Sequence, residues 1–317
     1  MNNFFTCWPE LKAYAKQLSS KRFPGLFYYD YTPPGNLKKT TLILLHGLGD
    51  EADTFRHVIP LLGKAGYRML APDLPCFGRS TSPRRSSISL QRDAVLELIK
   101  SIPENSEQGF ILIGSSMGAA VAEAVVLAEL NTTGNRIKAL VLIDGCFPVE
   151  SSGSAEGSGS SKLLFSALPF VGKKWYRSFR KNPEKAWQSL FSYYADIQSL
   201  SQEDKDFLRK RVMDRVCSPT QERAYFSTLR SMIFQSIRSS YYKRIGSWPG
   251  KLCLIWGEKD NIMPHAVIEP FIKLRGNNNT ELSIIKGSGH LPHQEKPAET
   301  AEVILEFLDL PSPLYCD

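Results

Sequence analysis

Apolar positions along this chain follow two different patterns, and the change from one to the other divides it. Between residues 22 and 148, short continuous runs rich in Ile, Leu and Val stand at Leu42–His46 (LILLH), Arg68–Pro72 (RMLAP), Phe110–Ile113 (FILI) and Ala139–Ile143 (ALVLI). Runs this short with no alternating polar face have the character of strands buried on both sides. Segments with helical spacing lie between them, near 53–65, 88–101 and 116–130. Such alternation predicts a mainly parallel β-sheet flanked by helices, an α/β fold.

The pattern then changes. Residues 150–161, ESSGSAEGSGSS, have too few apolar side chains to pack and read as a flexible linker. From 162 to 247 the spacing is helical throughout. Ser201 can cap a helix with Asp204 in its first turn, and Ser218-Pro219-Thr220-Gln221 combines a capping serine with proline at the first helical position. At Lys251 the first pattern resumes, with LCLIW as a strand, Pro264–Arg275 as a helix, Leu282–Ile285 as a strand and Lys296–Leu310 as a last amphipathic helix. The expected organisation is a core made of 1–149 and 248–317, interrupted by the linker and by an all-helical insertion over 162–247.

Composition narrows the class. With 42% apolar and 22% charged residues the chain is an ordinary globular protein. No run reaches the ~18 to 20 apolar residues of a membrane-spanning helix. The start, MNNFFTCWPELKAY, lacks the basic opening and apolar core of a secretory signal, so a cytoplasmic location is expected. Six cysteines (Cys7, Cys76, Cys146, Cys217, Cys253, Cys316) show neither CxxC nor Cys/His spacing, which points to reduced thiols and no metal site. The net charge of +7 is concentrated in 162–247, where 17 Lys and Arg face 7 Asp and Glu. No nucleic-acid-binding motif accompanies it and the cations are scattered along helices, so no nucleic-acid partner is expected.

The chemistry-bearing stretch is Gly114-Ser115-Ser116-Met117-Gly118, a G-x-S-x-G between an expected buried strand and an expected helix. A helix-capping serine is the competing use of such a residue. A catalytic Ser116 needs a base and an orienting acid. Of the five histidines, His290 lies in the loop GSGHLP just after a strand, at the sheet edge where ligands of open α/β folds bind. His293 is its neighbouring rival. His265 sits at a helix start, His57 within an amphipathic helix, and His46 in the loop HGLGD, where its ring is expected to brace the loop. The acid is expected to be Asp260, after the strand LCLIW; Asp144, after ALVLI, is the alternative, and Glu258 stands too near its strand. The glycine-rich HGLGD loop can turn an N–H inward, so the backbone N–H groups of Leu48 and Met117 are the candidate oxyanion hole.

In order along the chain, HGLGD, APDLPCFGRS, GSSMGAA, LVLIDG, LIWGEKDNIMP and GSGHLPHQEKP resemble the motifs of the α/β-hydrolase superfamily, in the branch with a helical cap inserted after the sixth strand. The resemblance covers roughly 40–147 and 248–310. It implies a catalytic triad of Ser116, His290 and Asp260, a cap over the site, and no metal or organic cofactor. It departs from the usual pattern at Cys76, where relatives usually have glycine, at Ser115, where many have histidine or asparagine, and at Gly118-Ala119 in place of Gly-Gly. A serine at the elbow argues against dehalogenases and epoxide hydrolases, which use aspartate. The expected function is hydrolysis of a small-molecule carboxylic ester through an acyl-enzyme. Cap aromatics and cations extend the candidate substrates to anionic or lipid-like ones. The alternatives are a carbon–carbon bond hydrolase of meta-cleavage type and a ligand-binding receptor on the same fold that does not turn over.

Overall fold

Eight strands share one sheet: β1 (Ala15–Gln17), β2 (Phe27–Tyr31), β3 (Thr41–Leu45), β4 (Arg68–Pro72), β5 (Phe110–Ser115), β6 (Ile137–Ile143), β7 (Lys251–Gly257) and β8 (Thr280–Ile285). Their spatial order is β1-β2-β4-β3-β5-β6-β7-β8. The structure is a computed structural model and describes residues 6–35, 37–81, 85–102, 109–130, 136–145, 171–236, 239–263, 267–276 and 279–309. β2 runs antiparallel to both β1 and β4, and the pairings from β4 through β8 are parallel. Between strands lie α1 (Val58–Lys64), α2 (Ile88–Ser101) and α3 (Met117–Glu129). After β6 come α4 (Val171–Arg180), α5 (Pro183–Gln188), α6 (Gln202–Cys217), α7 (Pro219–Ser236) and α8 (Ser239–Gly246). The last are α9 (Ile268–Arg275), α10 (Pro292–Glu295) and α11 (Pro297–Asp309). The expected linker, 150–161, lies outside the described residues, as do residues 162–170, His265, Cys146 and Cys316.

The central strands are apolar over most of their length because alternate side chains enter two cores. Ile43, Leu45, Leu112, Leu140, Leu142, Leu254 and Trp256 face α2, α3 and α9. Leu42, Leu44, Ile111, Ile113, Val141, Ile143 and Ile255 face α1 and α11. Each such Leu or Ile removed from water contributes about 1.5–3 kcal/mol before entropy is counted.

Two strands were not expected, and one expected helix is corrected. β1 and β2 carry no continuous apolar run: FYYDY contains Asp30, whose carboxylate is buried and held by Lys16 at 2.6 Å and Arg68 at 2.8 Å. Over 53–65 the structure has a 3₁₀ turn (Ala52–Phe55) and then α1. Pro60 lacks an N–H and sits only two residues into α1, so a helix starting at 53 would hold it in its interior. Asp53 is also drawn inward, accepting from Trp8 N at 2.8 Å and Tyr29 Oη at 2.7 Å and pairing with Arg79 at 2.7 Å.

Among the described residues, the segment between β6 and β7 contains helices joined by short turns and no strand. Ser201 Oγ accepts from Asp204 N at 3.0 Å and Ser218 Oγ from Gln221 N at 3.3 Å, the caps the sequence predicts. Its aromatics make two small cores of their own, Tyr176, Phe179 and Phe226 in one, Trp187 and Tyr194 in the other. Along α7, Ala224, Leu229 and Met232 join the larger core instead, so the insertion is docked on the sheet domain. Among the described residues no helix is long and apolar enough to cross a membrane. Cys76 and Cys253 are buried, Cys7 is half-buried and Cys217 exposed.

α3 also buries Glu123, whose Oε2 accepts from Tyr241 Oη at 3.3 Å while Oε1 finds no donor. Burial lifts this carboxyl from 4.5 to about 8, with Tyr241 and Arg275 opposing less strongly. The folded chain therefore holds a proton that the unfolded chain has lost, and stability falls as pH rises through that window. Glu123→Gln should leave the Tm nearly unchanged at about pH 4 and raise it increasingly over wild type up to about pH 8. A difference in Tm that does not vary with pH would contradict this.

Candidate active site

β5 ends at Ser115 and α3 begins at Met117, so the chain reverses within one residue. Ser116 takes φ 51° and ψ −115° to do so. Positive φ in a non-glycine residue costs about 1–3 kcal/mol and persists only where the surroundings impose it. Here they do. A Cβ on Gly118 would lie 2.0 Å from Leu45 O, and one on Gly114 would lie 2.4 Å from Gly118 O, so strand and helix approach more closely than any other residue allows. Ser116 N donates to Ile143 O at 2.8 Å, tying the turn to β6. The Ser116 hydroxyl makes no capping bond to α3, which removes the competing use of this serine. Ser115 points into the interior and is fully buried.

The ends of four parallel strands meet beside this turn. Ser115 is in register with Ile143, Ile143 with Ile255, and Gly257 with Ile285. Asp144 N donates to Ile255 O at 2.9 Å and Lys259 N to Ser288 O at 2.8 Å, lacing the following loops together. His290 Nδ1 and Asp260 Oδ2 are 2.8 Å apart, and both side chains are buried. Asp260 Oδ1 accepts from Ile262 N at 2.7 Å and Met263 N at 3.0 Å. Burial alone would raise the Asp260 carboxyl, but the hydrogen bond and charge of His290, with the other donors, outweigh it and hold it below the usual carboxylate range. Asp260 is an anion, so Nδ1 carries the proton and Nε2 presents a lone pair. Nε2 and the Ser116 hydroxyl make no side-chain hydrogen bond among the described residues.

The other histidines are engaged elsewhere. His293 Nε2 meets Thr54 Oγ1 at 2.9 Å, and burial drives the ring down to about 3, a neutral packing residue against Phe55. His57 pairs with Asp204 at 2.8 Å. His46 accepts from Leu74 N through Nε2 at 2.9 Å, so Nδ1–H donates to Gly47 O at 2.8 Å, and burial keeps the ring below its ordinary value. Its ring clamps the glycine-rich loop. That loop abuts the serine: a Cβ on Gly47 would sit 3.5 Å from Ser116 Cβ. Leu48 N–H takes no part in the loop's backbone hydrogen bonds, and Met117 N–H, first of α3, is one of the helix's unpaired donors. Glu258 turns outward to Gly287 N at 2.9 Å.

Several residues at the site carry no local sequence signal. His290 N donates to Tyr193 O at 2.8 Å, and the two rings are 5.9 Å apart. Tyr225 lies over Gly49 and Tyr193 beside His290. Glu295 joins the insertion to the histidine loop, accepting from Ala195 N at 2.8 Å and Gly289 N at 2.7 Å. Arg215 reaches Asp50 at 2.6 Å and Arg211 reaches Glu51 at 3.0 Å, directly after the glycine loop. The acids in HGLGDE and the basic run in α6 were the only available hint of that junction.

A mostly parallel eight-stranded sheet, with a strained serine turn after its fifth strand and a helical segment after its sixth, is the α/β-hydrolase architecture. The chain belongs to the alpha/beta hydrolase family, whose sequence profile matches residues 42–303. It is 26% identical over 289 residues to the "Uncharacterized hydrolase YugF" of Bacillus subtilis, spanning 90% of this chain and 94% of that protein. Lipase 1 of Psychrobacter immobilis is 26% identical over 282 residues, or 86% of this chain and 78% of its own. Among solved structures, the 2-hydroxy-6-oxo-6-phenylhexa-2,4-dienoate hydrolase of Rhodococcus sp. strain RHA1 superposes with a TM-score of 0.68 at 19% identity, covering 93% of this chain and 100% of that one.

The elbow can be tested through its packing. Gly118→Ala forces a Cβ onto the Leu45 carbonyl and should lower stability by about 2 kcal/mol or more, read as a lower midpoint in urea. An unchanged midpoint would mean that β3 and α3 are not this close.

Proposed function

We propose that this protein is a serine hydrolase of carboxylic esters. Ser116 is the nucleophile, His290 the general base, Asp260 the orienting acid, and the N–H groups of Leu48 and Met117 the oxyanion hole. The helices between β6 and β7 act as a cap that closes the substrate cavity. The observation that carries this reading is the buried 2.8 Å Asp260–His290 pair, placed on the same sheet edge as a serine held in a strained turn.

In the first step Ser116 Oγ bonds to the ester carbonyl carbon as its proton moves to His290 Nε2. The carbonyl oxygen becomes an oxyanion facing Leu48 and Met117 N–H, and such preorganised donors are worth on the order of 10²- to 10³-fold each in rate. His290 returns the proton to the departing alcohol, leaving an acyl-serine. Water then attacks, giving its proton to His290; the acid leaves and Ser116 recovers its hydrogen. Every proton is carried by a residue already in place, so the cycle calls for no cofactor. Closing the Ser116–His290 hydrogen bond on substrate binding is ordinary, since catalytic hydrogen bonds are often loose in unliganded sites.

Ester chemistry is preferred because an alcohol leaves without further assistance, and the name of the Psychrobacter relative supports it. The Rhodococcus structure is named for carbon–carbon hydrolysis, but at 19% identity that likeness concerns the fold. Arg211 and Arg215 are paired with Glu51 and Asp50, and the insertion's aromatics fill its own cores. This favours a small neutral acyl group under Tyr193 and Tyr225 over an anionic substrate steered by the cap.

Ser116→Ala should reduce turnover of p-nitrophenyl esters on the order of 10⁴-fold or more while leaving the circular dichroism spectrum unchanged. Full activity in that variant would refute the assignment. Across a panel varying acyl length and charge, neutral short acyl esters should lead; preferential cleavage of a meta-cleavage dienoate over all esters would replace the ester reading with the carbon–carbon one.

A further inference from the structure

Asp144 follows β6 with φ 45°, a second non-glycine residue held in the left-handed region beside Ser116's own turn. Its side chain is completely buried. Oδ1 accepts from Gly257 N at 3.0 Å; Oδ2 has no N–H or O–H donor in reach. Its carboxyl neighbours that of Asp260: Asp144, Asp260 and His290 present atoms all within 4.8 Å of one another. The titratable groups facing it are Asp260, His290 and, further off, Glu295, and among the described residues no Lys or Arg forms an ion pair with it.

Two carboxylates within 4.8 Å of each other, out of water and with no Lys or Arg paired to Asp144, do not both stay charged. The donors decide which one keeps a proton. Asp260 receives three, from Ile262 N, Met263 N and His290 Nδ1, all of which favour its anion. Asp144 receives one, from Gly257 N. We propose that Asp144 is a neutral carboxylic acid that donates its proton in a hydrogen bond to Asp260, and so acts as a positioning residue that keeps the Asp260 carboxylate anionic and turned toward His290. The electrostatics agree: burial and the neighbouring Asp260 charge push the Asp144 carboxyl well above its ordinary range, and a hydrogen bond from Asp144 is among the contacts that lower Asp260. Asp144 is then not a spare triad acid. An ionised Asp144 would set a second negative charge beside His290 and hold the imidazolium too firmly for it to return its proton.

The kinetic part of this inference rests on the proposed roles of His290 and Asp260, whereas the protonation state can be read without any catalysis. In carbon-13 NMR of protein labelled at the aspartate carboxyl carbons, one resonance should keep the chemical shift of a protonated acid through neutral pH and disappear in Asp144→Asn. If every aspartate resonance is ionised at neutral pH, the inference fails, whatever the enzyme does. Asp144→Asn preserves a neutral donor and should keep kcat/KM within about 3-fold, with the acid limb of its pH profile unmoved. Asp144→Leu removes the donor and should lower kcat by about 10- to 100-fold with KM nearly constant, moving the acid limb to higher pH as an uncompensated Asp260 stabilises the imidazolium. An acid limb that moves to lower pH in Asp144→Asn would show that Asp144 had been charged, and would overturn the proposal. Should the Leu variant not fold, the NMR resonance and the Asn variant still decide it.

Discussion

The turn at Ser116 is the constraint on which the rest depends. One residue separates a central strand from a central helix, and the two pack so tightly that the positions two before and two after it must be glycine. That contact fixes where the hydroxyl stands relative to the sheet edge. Because β5, β6, β7 and β8 are parallel neighbours in register, everything following those strands arrives at the same edge: Asp144, Asp260 and His290 need no further device to meet. The strain at Ser116 is therefore stored by the most deeply buried part of the protein, where a few kcal/mol are readily offset by the cores on both faces.

Charge is organised around the same edge. The sheet domain places Asp50 and Glu51 after its glycine loop, Arg56 before α1 and Glu295 after the histidine loop, and the helical insertion answers with Arg211, Arg215, Asp204 and the Ala195 amide. Burial opposes ionisation of Asp50, yet Arg215 keeps it below the usual carboxylate range. A buried ion pair adds little net stability compared with apolar packing, but it penalises misplacement severely. Its value here is registration: these pairs hold the insertion where Tyr225 meets Gly49 and Tyr193 meets His290. Part of the insertion's basic excess is thus consumed by the acids of the core.

Six of the eight strands were legible from a short apolar run: five because a strand covered on both faces is apolar over most of its length, and β8 although Leu282 and Ile284 are exposed. β1 and β2 were not, since β1 has three residues and β2 buries Asp30 in ion pairs made with partners far along the chain. The same blindness to distance explains the site. Gly-x-Ser-x-Gly and the histidine loop are local motifs and could be read directly. Whether Asp260 or Asp144 faced His290 could not, because both follow strands that end at one edge; the structure brings both carboxyls there and puts Asp260 in the hydrogen bond. Cys76, set where a glycine is usual, has φ 76°, which accounts for that preference. Tyr193 and Tyr225 are placed by tertiary packing alone, and nothing within a few residues of them announces it.

The central claim is that a hydroxyl at a strained turn is made reactive by a histidine that a buried carboxylate orients. The most direct measurement is the rate and site of reaction with a fluorophosphonate, read by peptide mass spectrometry. The account predicts one adduct per chain, on Ser116, forming on the order of 100-fold or more slowly in His290→Ala. Modification of Ser115 or of a surface serine instead, or labelling of Ser116 at the same rate without His290, would contradict it.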